Sequence, residues 1–77
     1  MGVDMAVVKV LEILAESEVS WEDAAQEAVN EVARTVRNIK TIYIKDLQAI
    51  VENNRIVRYR VNAKVSFLVE RSHDLQA

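Results

Sequence analysis

The segment from Val57 to Val69 constrains the fold of this chain more than any other. Every odd-numbered position in it is apolar, and most even-numbered positions carry Arg, Asn, Lys or Ser. Successive side chains of a β-strand point to opposite faces, so this alternation predicts one long strand with an apolar face and a polar face. At about 3.3 Å per residue, the segment 56–70 would span roughly 45–50 Å. A chain of 77 residues cannot cover such a strand by itself, which indicates that it forms an assembly.

The composition predicts one small domain over residues 1–77, with flexible ends at residues 1–6 and 71–77. The sequence contains no Cys, which excludes disulfide bonds and thiolate metal sites. No apolar run approaches the roughly 20 residues of a transmembrane helix, and the first five residues lack the features of a signal peptide. We therefore expect a cytoplasmic protein with no membrane partner. The net charge of −2 argues against a nucleic-acid partner.

Two elements are predicted before the long strand and its hairpin partner. Residues 7–16 are rich in β-branched side chains, which predicts a first strand. Ser20, followed by Asp23 three positions later, has the pattern of a helix N-cap. Small apolar residues then recur at helical spacing. This pattern predicts a helix from about Trp21 to Asn38.

A second strand is predicted from about Lys40 to Glu52, followed by a tight turn at Asn53 and Asn54. Asn tolerates the positive φ that both central residues of a type I′ turn require. A hairpin centred there brings the apolar faces of its two strands together. The resulting pairs are Ile50 with Val57, Ile44 with Ala63, and Ile42 with Val65.

These elements predict an α+β fold of order β-α-β-β, with one helix packed on a three-stranded antiparallel sheet. The first strand pairs with the last, because the crossover is then right-handed. A helix of about 18 residues is only about 27 Å long, so it cannot cover the whole hairpin. The distal half would keep a set of exposed apolar residues, and such a patch marks an interface. They are Leu47, Ile50, Val51, Ile56, Val57 and Tyr59.

This order of elements, together with three segments, resembles the dodecin family from about Val8 to Glu70. The segments are Ser20–Ala25 at the start of the helix, Thr35–Ile39 at its end, and Tyr59–Phe67 in the last strand. The resemblance implies a hollow homododecamer of cubic (tetrahedral) symmetry. It also implies a small-ligand binding or storage protein, since flavin-binding dodecins hold riboflavin or related flavins between subunits.

The resemblance places the equivalents of the flavin pocket at Thr41, Tyr43, Lys45 and Arg60. Flavin-binding dodecins carry a Trp that stacks on the flavin ring where this chain has Thr41. They carry a hydrogen-bonding Gln where this chain has Arg60. Loss of aromatic stacking removes about 1–3 kcal/mol per stacked face, by analogy with nucleobases. Flavin (riboflavin or FMN) storage is therefore the alternative reading.

A second branch of the family is similar to this chain in lacking that Trp, and its members are described as calcium-binding. Calcium takes several oxygen ligands in irregular geometry. Asp46 and Gln48 are predicted to project from the apolar face beyond the helix, where a carboxylate is costly unless it is paired or binds a cation. Glu12 and Glu16 of the first strand are further metal candidates. Asp46 could equally pair with a neighbouring Arg or with a helix N-terminus.

Other functional classes have less support. The cationic residues Lys45, Arg58, Arg60 and Lys64 share a predicted face with Tyr43, which fits a solvated or ion-paired surface, an anionic-ligand pocket or a nucleic-acid surface. No Gly-rich phosphate loop, HExxH motif or Cys nucleophile is present, so no enzyme is expected. The sequence thus favours a dodecin-like shell of the calcium type, with a flavin store or a ligand-free shell as alternatives.

Overall fold

The computed structural model describes residues 7–69, which form one helix and one sheet. The elements in chain order are β1 (Val7–Ser17), α1 (Trp21–Ala33), β2 (Ile39–Glu52) and β3 (Arg55–Val69). The three strands are antiparallel in the order β1-β3-β2, so the long last strand is central and pairs with the first. The predicted α+β fold is therefore confirmed. The flexible ends predicted at residues 1–6 and 71–77 lie outside the described residues.

The N-terminus of α1 follows the sequence prediction. The backbone N–H of Asp23 donates a hydrogen bond of 2.9 Å to Oγ of Ser20. The Asp23 carboxylate in turn accepts a hydrogen bond of 2.7 Å from the hydroxyl of Ser17, the last residue of β1. These two bonds join the end of the first strand to the first turn of the helix.

The predicted end of α1 at Asn38 was wrong, because the helix ends at Ala33. Asn38 adopts a positive φ of 63°, and its carbonyl accepts a hydrogen bond of 3.0 Å from the N–H of Leu68. The segment after Arg34 is therefore used to turn the chain back towards β3 rather than to extend the helix. With 13 residues, α1 is only about 20 Å long.

Small residues allow α1 to lie close to the central strand. Ala24 and Ala28 of the helix are completely buried, as are Ala63 and Val65 of β3. Val61 is 1% exposed at the same contact. A packed interface of alanines and valines has no room for a larger side chain, so the helix–sheet distance is set by residue size.

The turn of the β2–β3 hairpin is confirmed, but the pairing next to it is not as predicted. Asn53 and Asn54 have φ values of 54° and 66°, as a type I′ turn requires. Further from the turn, the predicted pairs of Ile44 with Ala63 and Ile42 with Val65 are present. Ile50, however, lies opposite Arg58, because a β-bulge leaves Val57 as an extra residue in β3.

A second bulge, at Lys45, changes the sheet face on which the side chains in the middle of β2 lie. Lys45 is the extra residue here, so Asp46 lies opposite Asn62 and Gln48 lies opposite Arg60. A shift of one residue moves every following side chain to the other face of a sheet. The prediction that Asp46 and Gln48 project from the apolar face was therefore wrong, and both lie on the polar face.

The hairpin extends beyond the helix and leaves apolar side chains uncovered. Leu47, Val51 and Ile56 are 55–58% exposed, and Val57 is 37% exposed. Two residues expected to be exposed with them are half-buried: Ile50 and Tyr59. The Tyr59 ring contacts Trp21 of the helix edge-on, with ring centroids 5.0 Å apart.

Candidate functional site

The sheet face opposite α1, called the open face below, carries polar side chains from all three strands and three apolar ones from β1. β1 contributes Val8, Val10, Glu12, Leu14 and Glu16; β2 contributes Thr41, Tyr43, Asp46 and Gln48; β3 contributes Arg58, Arg60, Asn62, Lys64 and Ser66. Lys45, at the bulge, reaches the same face through an ion pair with Glu12. The structure thus brings all eight predicted site residues to one face.

At one end of the open face, two arginines surround the carboxylate of Glu16. Arg60 donates from Nη2 at 2.6 Å and from Nε at 2.8 Å, and Arg58 donates from Nη1 at 3.2 Å. The hydrogen bonds from Arg60, and then those from Arg58, hold the pKa of Glu16 below its ordinary value of 4.5. Arg58 also lies 3.9 Å from the carboxylate of Glu18. Glu16 is therefore occupied by cations from its own chain and is a poor ligand for a metal.

The same cluster restrains Arg60, which the sequence places at a flavin contact. Besides its bonds to Glu16, Arg60 donates from Nη1 to Oε1 of Gln48 at 3.5 Å. The main chain of Gln48 is held from the helix side of the sheet. Its backbone carbonyl oxygen accepts a 2.8 Å hydrogen bond from Nε1 of Trp21. Arg60 would have to give up these partners to bind an anion.

Lys45 and Glu12 form an ion pair that spans the sheet. Lys45 Nζ lies 3.3 Å from Glu12 Oε2, and both side chains are 47% exposed. Because β3 lies between the strands that carry them, the lysine side chain crosses the central strand to reach Glu12. Exposed pairs of this kind contribute about 0–1 kcal/mol to stability.

Beside this ion pair lie an exposed carboxylate, that of Asp46, and a buried amide oxygen, that of Asn62. The Asp46 carboxylate makes no hydrogen bond or ion pair among residues 7–69, and Oδ1 of Asn62, directly across the strand pair, is buried without a hydrogen-bond partner. Asn62 was not among the predicted metal ligands. The alternation of β3 indicates its face, but nothing in the sequence signals that its oxygen lacks a donor. Within the described part of the chain, no cluster of three or more His, Cys, Asp or Glu side chains is arranged to hold a metal.

The open face offers little for a flavin ring to stack on. Thr41, which the family resemblance places at the position of the stacking aromatic residue, forms a hydrogen bond with the hydroxyl of Ser66. Tyr43, 63% exposed, is the one aromatic side chain that residues 7–69 place on this face. Trp21 and Tyr59 contact each other on the helix side of the sheet. The residues present therefore do not fit a ring held between aromatic platforms.

No helix among residues 7–69 is both long and apolar enough to cross a membrane.

Comparisons with known proteins agree with the fold described above. The sequence model of a family described as Dodecin matches residues 7–70. The "Calcium dodecin" of Mycobacterium tuberculosis is 35% identical over 63 residues, which are 82% of this chain and 89% of that protein. Its crystal structure, described as a calcium-chelating antigen with a novel calcium-binding site, matches with a TM-score of 0.73 at 33% identity, over 86% of this chain and 94% of that one. A mutant of the Thermus thermophilus dodecin matches with a TM-score of 0.81 at 26% identity, over 86% of this chain and 97% of that one.

Proposed function

Since this chain belongs to the dodecin family, as its sequence resemblance indicated, we propose that twelve copies of it form a hollow shell that binds and stores calcium. Dodecins are ligand-binding or storage proteins and are not known as enzymes. One observation carries the choice of ligand: the 35% identity to a calcium dodecin over 82% of this chain. A cytoplasmic location is part of the same proposal.

The exposed hairpin supports the oligomeric part of the proposal. Leu47, Val51 and Ile56, each more than half exposed, lie where α1 is too short to reach. Contiguous apolar surface on a protein of this size typically marks an interaction site. A second copy of the chain can cover it with the same apolar residues, as a symmetric interface requires.

The open face supports calcium over a flavin. Thr41 stands where a stacking ring would be needed, and Arg60 is held by Glu16 and Gln48. Carboxylate and amide oxygens are the ligands that calcium uses in proteins, and Glu12, Asp46, Gln48 and Asn62 supply them on this face. Bound there, the ion would supply positive charge beside Glu12 and Asp46, on a face that also carries four cationic side chains.

Native mass spectrometry of the untagged protein, purified without added ligand, tests the proposal most directly. We expect a complex of twelve subunits that carries mass increments of calcium. Mass increments of the size of a flavin would show that the ligand is a flavin rather than calcium. Twelve subunits without added mass would favour a ligand-free shell. A monomer would contradict the assembly itself.

Thermal unfolding gives an independent test of the ligand. Calcium should raise the melting temperature, because a ligand that binds only the folded state stabilises it by RT ln(1 + [L]/Kd), about 2.7 kcal/mol at a hundredfold excess over Kd. Riboflavin fluorescence should be unchanged by the protein. Quenching of that fluorescence, together with no effect of calcium, would reverse the assignment.

A further inference from the structure

We propose that the ion cluster of Glu16, Arg58 and Arg60 is a clamp that fixes the direction of the outer hairpin, and that salt in the solvent loosens it. The outer hairpin is residues 50–58, the part of β2 and β3 beyond the end of β1. This role rests on the proposed assembly, since the clamp holds the apolar surface of the outer hairpin in position for a second copy.

The outer hairpin has no third strand to support it. β1 ends at Ser17, which lies opposite Tyr59, so residues 50–58 pair only with each other within the described part of the chain. A two-stranded hairpin is marginally stable by itself and twists more strongly than a larger sheet. The bulge at Val57 adds a local bend to β3. The direction in which the outer hairpin leaves the sheet therefore depends on contacts at its base.

The ion cluster lies at that base, on the open face. Each oxygen of the Glu16 carboxylate accepts from a different arginine: Oε2 from Arg60 at 2.6 and 2.8 Å, and Oε1 from Arg58 at 3.2 Å. Arg58 belongs to the outer hairpin, whereas Glu16 is the next-to-last residue of β1. Arg58 also lies 3.9 Å from the carboxylate of Glu18, in the connection between β1 and α1. The cluster thus ties the outer hairpin to the end of the first strand and to the connection that follows it.

The helix side of the same base has a different kind of contact. The rings of Trp21 and Tyr59 meet edge-on, and Nε1 of Trp21 donates to the backbone carbonyl of Gln48 at 2.8 Å. These contacts involve no charged group, so salt screens them little. They hold Gln48 and Tyr59, just inside the outer hairpin, whereas the ionic contacts hold Arg58 within it. A change of ionic strength therefore acts mainly on the contacts of the open face.

The charges of the cluster fit an internal contact rather than a bound ion. The carboxylates of Glu16 and Glu18 face two arginines, so no net charge remains to attract a ligand. The side chains of Glu16, Arg58 and Arg60 are 32%, 52% and 35% exposed, so dissolved ions reach them. An isolated exposed ion pair contributes little, but a network of charge-assisted hydrogen bonds is stronger. The Debye length falls from about 10 Å at 0.1 M salt to about 3 Å at 1 M, so added salt weakens the network.

The outer hairpin carries apolar surface that a second copy is proposed to cover. Val51 and Ile56 are 58% and 55% exposed, and Val57 is 37% exposed. A symmetric contact requires both copies to present this surface in the same way. An outer hairpin without its clamp takes several directions, and this freedom is lost when the copies associate. The clamp therefore favours assembly by fixing the hairpin beforehand.

Hydrogen–deuterium exchange of the full-length protein, measured by mass spectrometry at low and high salt, tests the clamp. Glu16→Gln keeps the shape of the side chain and removes the charge between the two arginines. At low salt, the amides of residues 50–58 should exchange about tenfold faster in this variant than in the parent protein. In the parent protein, about 1 M NaCl should bring the exchange of the same amides close to that of the variant. Sedimentation ensures that samples of equal subunit number are compared.

Glu12→Gln is the matched control. Glu12 lies on the same strand and the same face as Glu16, and it also has a cationic partner, Lys45, at 3.3 Å. Lys45 belongs to the part of β2 beside the covered half of β3 rather than to the outer hairpin. The exchange of residues 50–58 in the control should therefore equal that of the parent protein at both salt concentrations.

Subunit association is the second measurement. The protein concentration at which half of the assembly dissociates should be about tenfold higher in Glu16→Gln than in Glu12→Gln, because only the first variant frees the outer hairpin. Analytical ultracentrifugation over a dilution series measures it. Equal values in the two variants would overturn the effect of the clamp on assembly.

The outcomes separate the clamp from the proposed function. Equal exchange of residues 50–58 in Glu16→Gln and Glu12→Gln would overturn the clamp, as would a Glu16→Gln variant whose exchange depends on salt as steeply as that of the parent protein. A parent protein that is monomeric and shows the expected exchange would support the clamp and contradict the proposed shell. Calcium enters neither measurement, so a failure of the calcium function leaves the result unchanged.

Discussion

The half of the β2–β3 hairpin beneath α1 and the half beyond it both carry apolar side chains on the helix side of the sheet, yet they differ in burial. Ala63 and Val65, beneath the helix, are completely buried. Leu47, Val51 and Ile56, beyond it, are more than half exposed. The 15 residues of β3 span about 50 Å, whereas the 13 residues of α1 span about 20 Å.

The difference shows that alternation selects the face of a strand, while the length of the packing partner determines how much of that face is buried. One half of the hairpin belongs to the core of the subunit. The other half has an apolar surface that its own chain cannot cover, and it therefore depends on other copies. Four substitutions test this division, in order of decreasing expected effect.

Ala28→Asp should abolish the stable subunit. Ala28 is completely buried between α1 and the sheet, and an unpaired charge left in such a place costs about 3–5 kcal/mol. Urea unfolding followed by circular dichroism measures the loss. The control is Ala33→Asp on the exposed side of the same helix, which should cost no more than about 1 kcal/mol. Equal losses in both variants would mean that the helix does not pack as described.

Leu47→Asp should dissociate the assembly and leave the subunit folded. Leu47 is 56% exposed in the monomer, so a charge there costs little until a second copy covers it. Analytical ultracentrifugation should show smaller species with unchanged circular dichroism. Val19→Asp makes the same change at a residue 73% exposed outside the hairpin and should leave the assembly intact. An intact Leu47→Asp assembly would show that the interface is elsewhere.

Trp21→Phe should loosen the junction between the two halves. The change removes the 2.8 Å hydrogen bond from Nε1 to the carbonyl of Gln48 and keeps an aromatic ring against Tyr59, so the cost should be about 0.5–1.5 kcal/mol. Chemical unfolding measures it. Tyr59→Phe keeps the ring contact and should be close to neutral. A larger loss in Tyr59→Phe than in Trp21→Phe would assign the junction to the tyrosine instead.

Glu16→Gln should change the pH dependence of stability by the smallest amount. Because Arg60 and Arg58 lower the pKa of Glu16 in the folded state, its contribution is fully present above the ordinary value of 4.5. The contribution is lost as the pH falls through the lowered folded-state pKa. Melting temperatures measured through this acid range should therefore fall less steeply in Glu16→Gln than in the parent protein. Parallel curves would show that the arginines do not stabilise the carboxylate.

Local patterns were sufficient to predict much of the fold. The turn at Asn53 and Asn54 follows from the tolerance of Asn for positive φ, a property of the residue itself. The N-cap at Ser20 follows from its side-chain hydroxyl, which accepts a hydrogen bond from the backbone N–H of Asp23, three residues later in the first turn of the helix. Such features depend on neighbours in the chain, which the sequence displays directly.

The bulges could not be predicted in the same way. Two polar residues in succession, Lys45 and Asp46, and two apolar ones, Ile56 and Val57, interrupt the alternation, but they do not show which residue of each pair becomes the extra one. A bulge bends its strand and increases the local twist, so its position depends on how the whole sheet packs rather than on a short segment. This accounts for the misplacement of Asp46 and Gln48.

The sequence by itself determined the order of the elements, the apolar face of the long strand, the hairpin turn and the excess of apolar surface. These depend on side-chain period and backbone preference, which act over a few residues. Only the tertiary structure decided where the helix ends, which face Asp46 takes, and that Lys45 reaches Glu12 while the buried Oδ1 of Asn62 accepts no hydrogen bond. Those outcomes depend on strand register, and one added residue reverses the side of the sheet on which every later side chain lies.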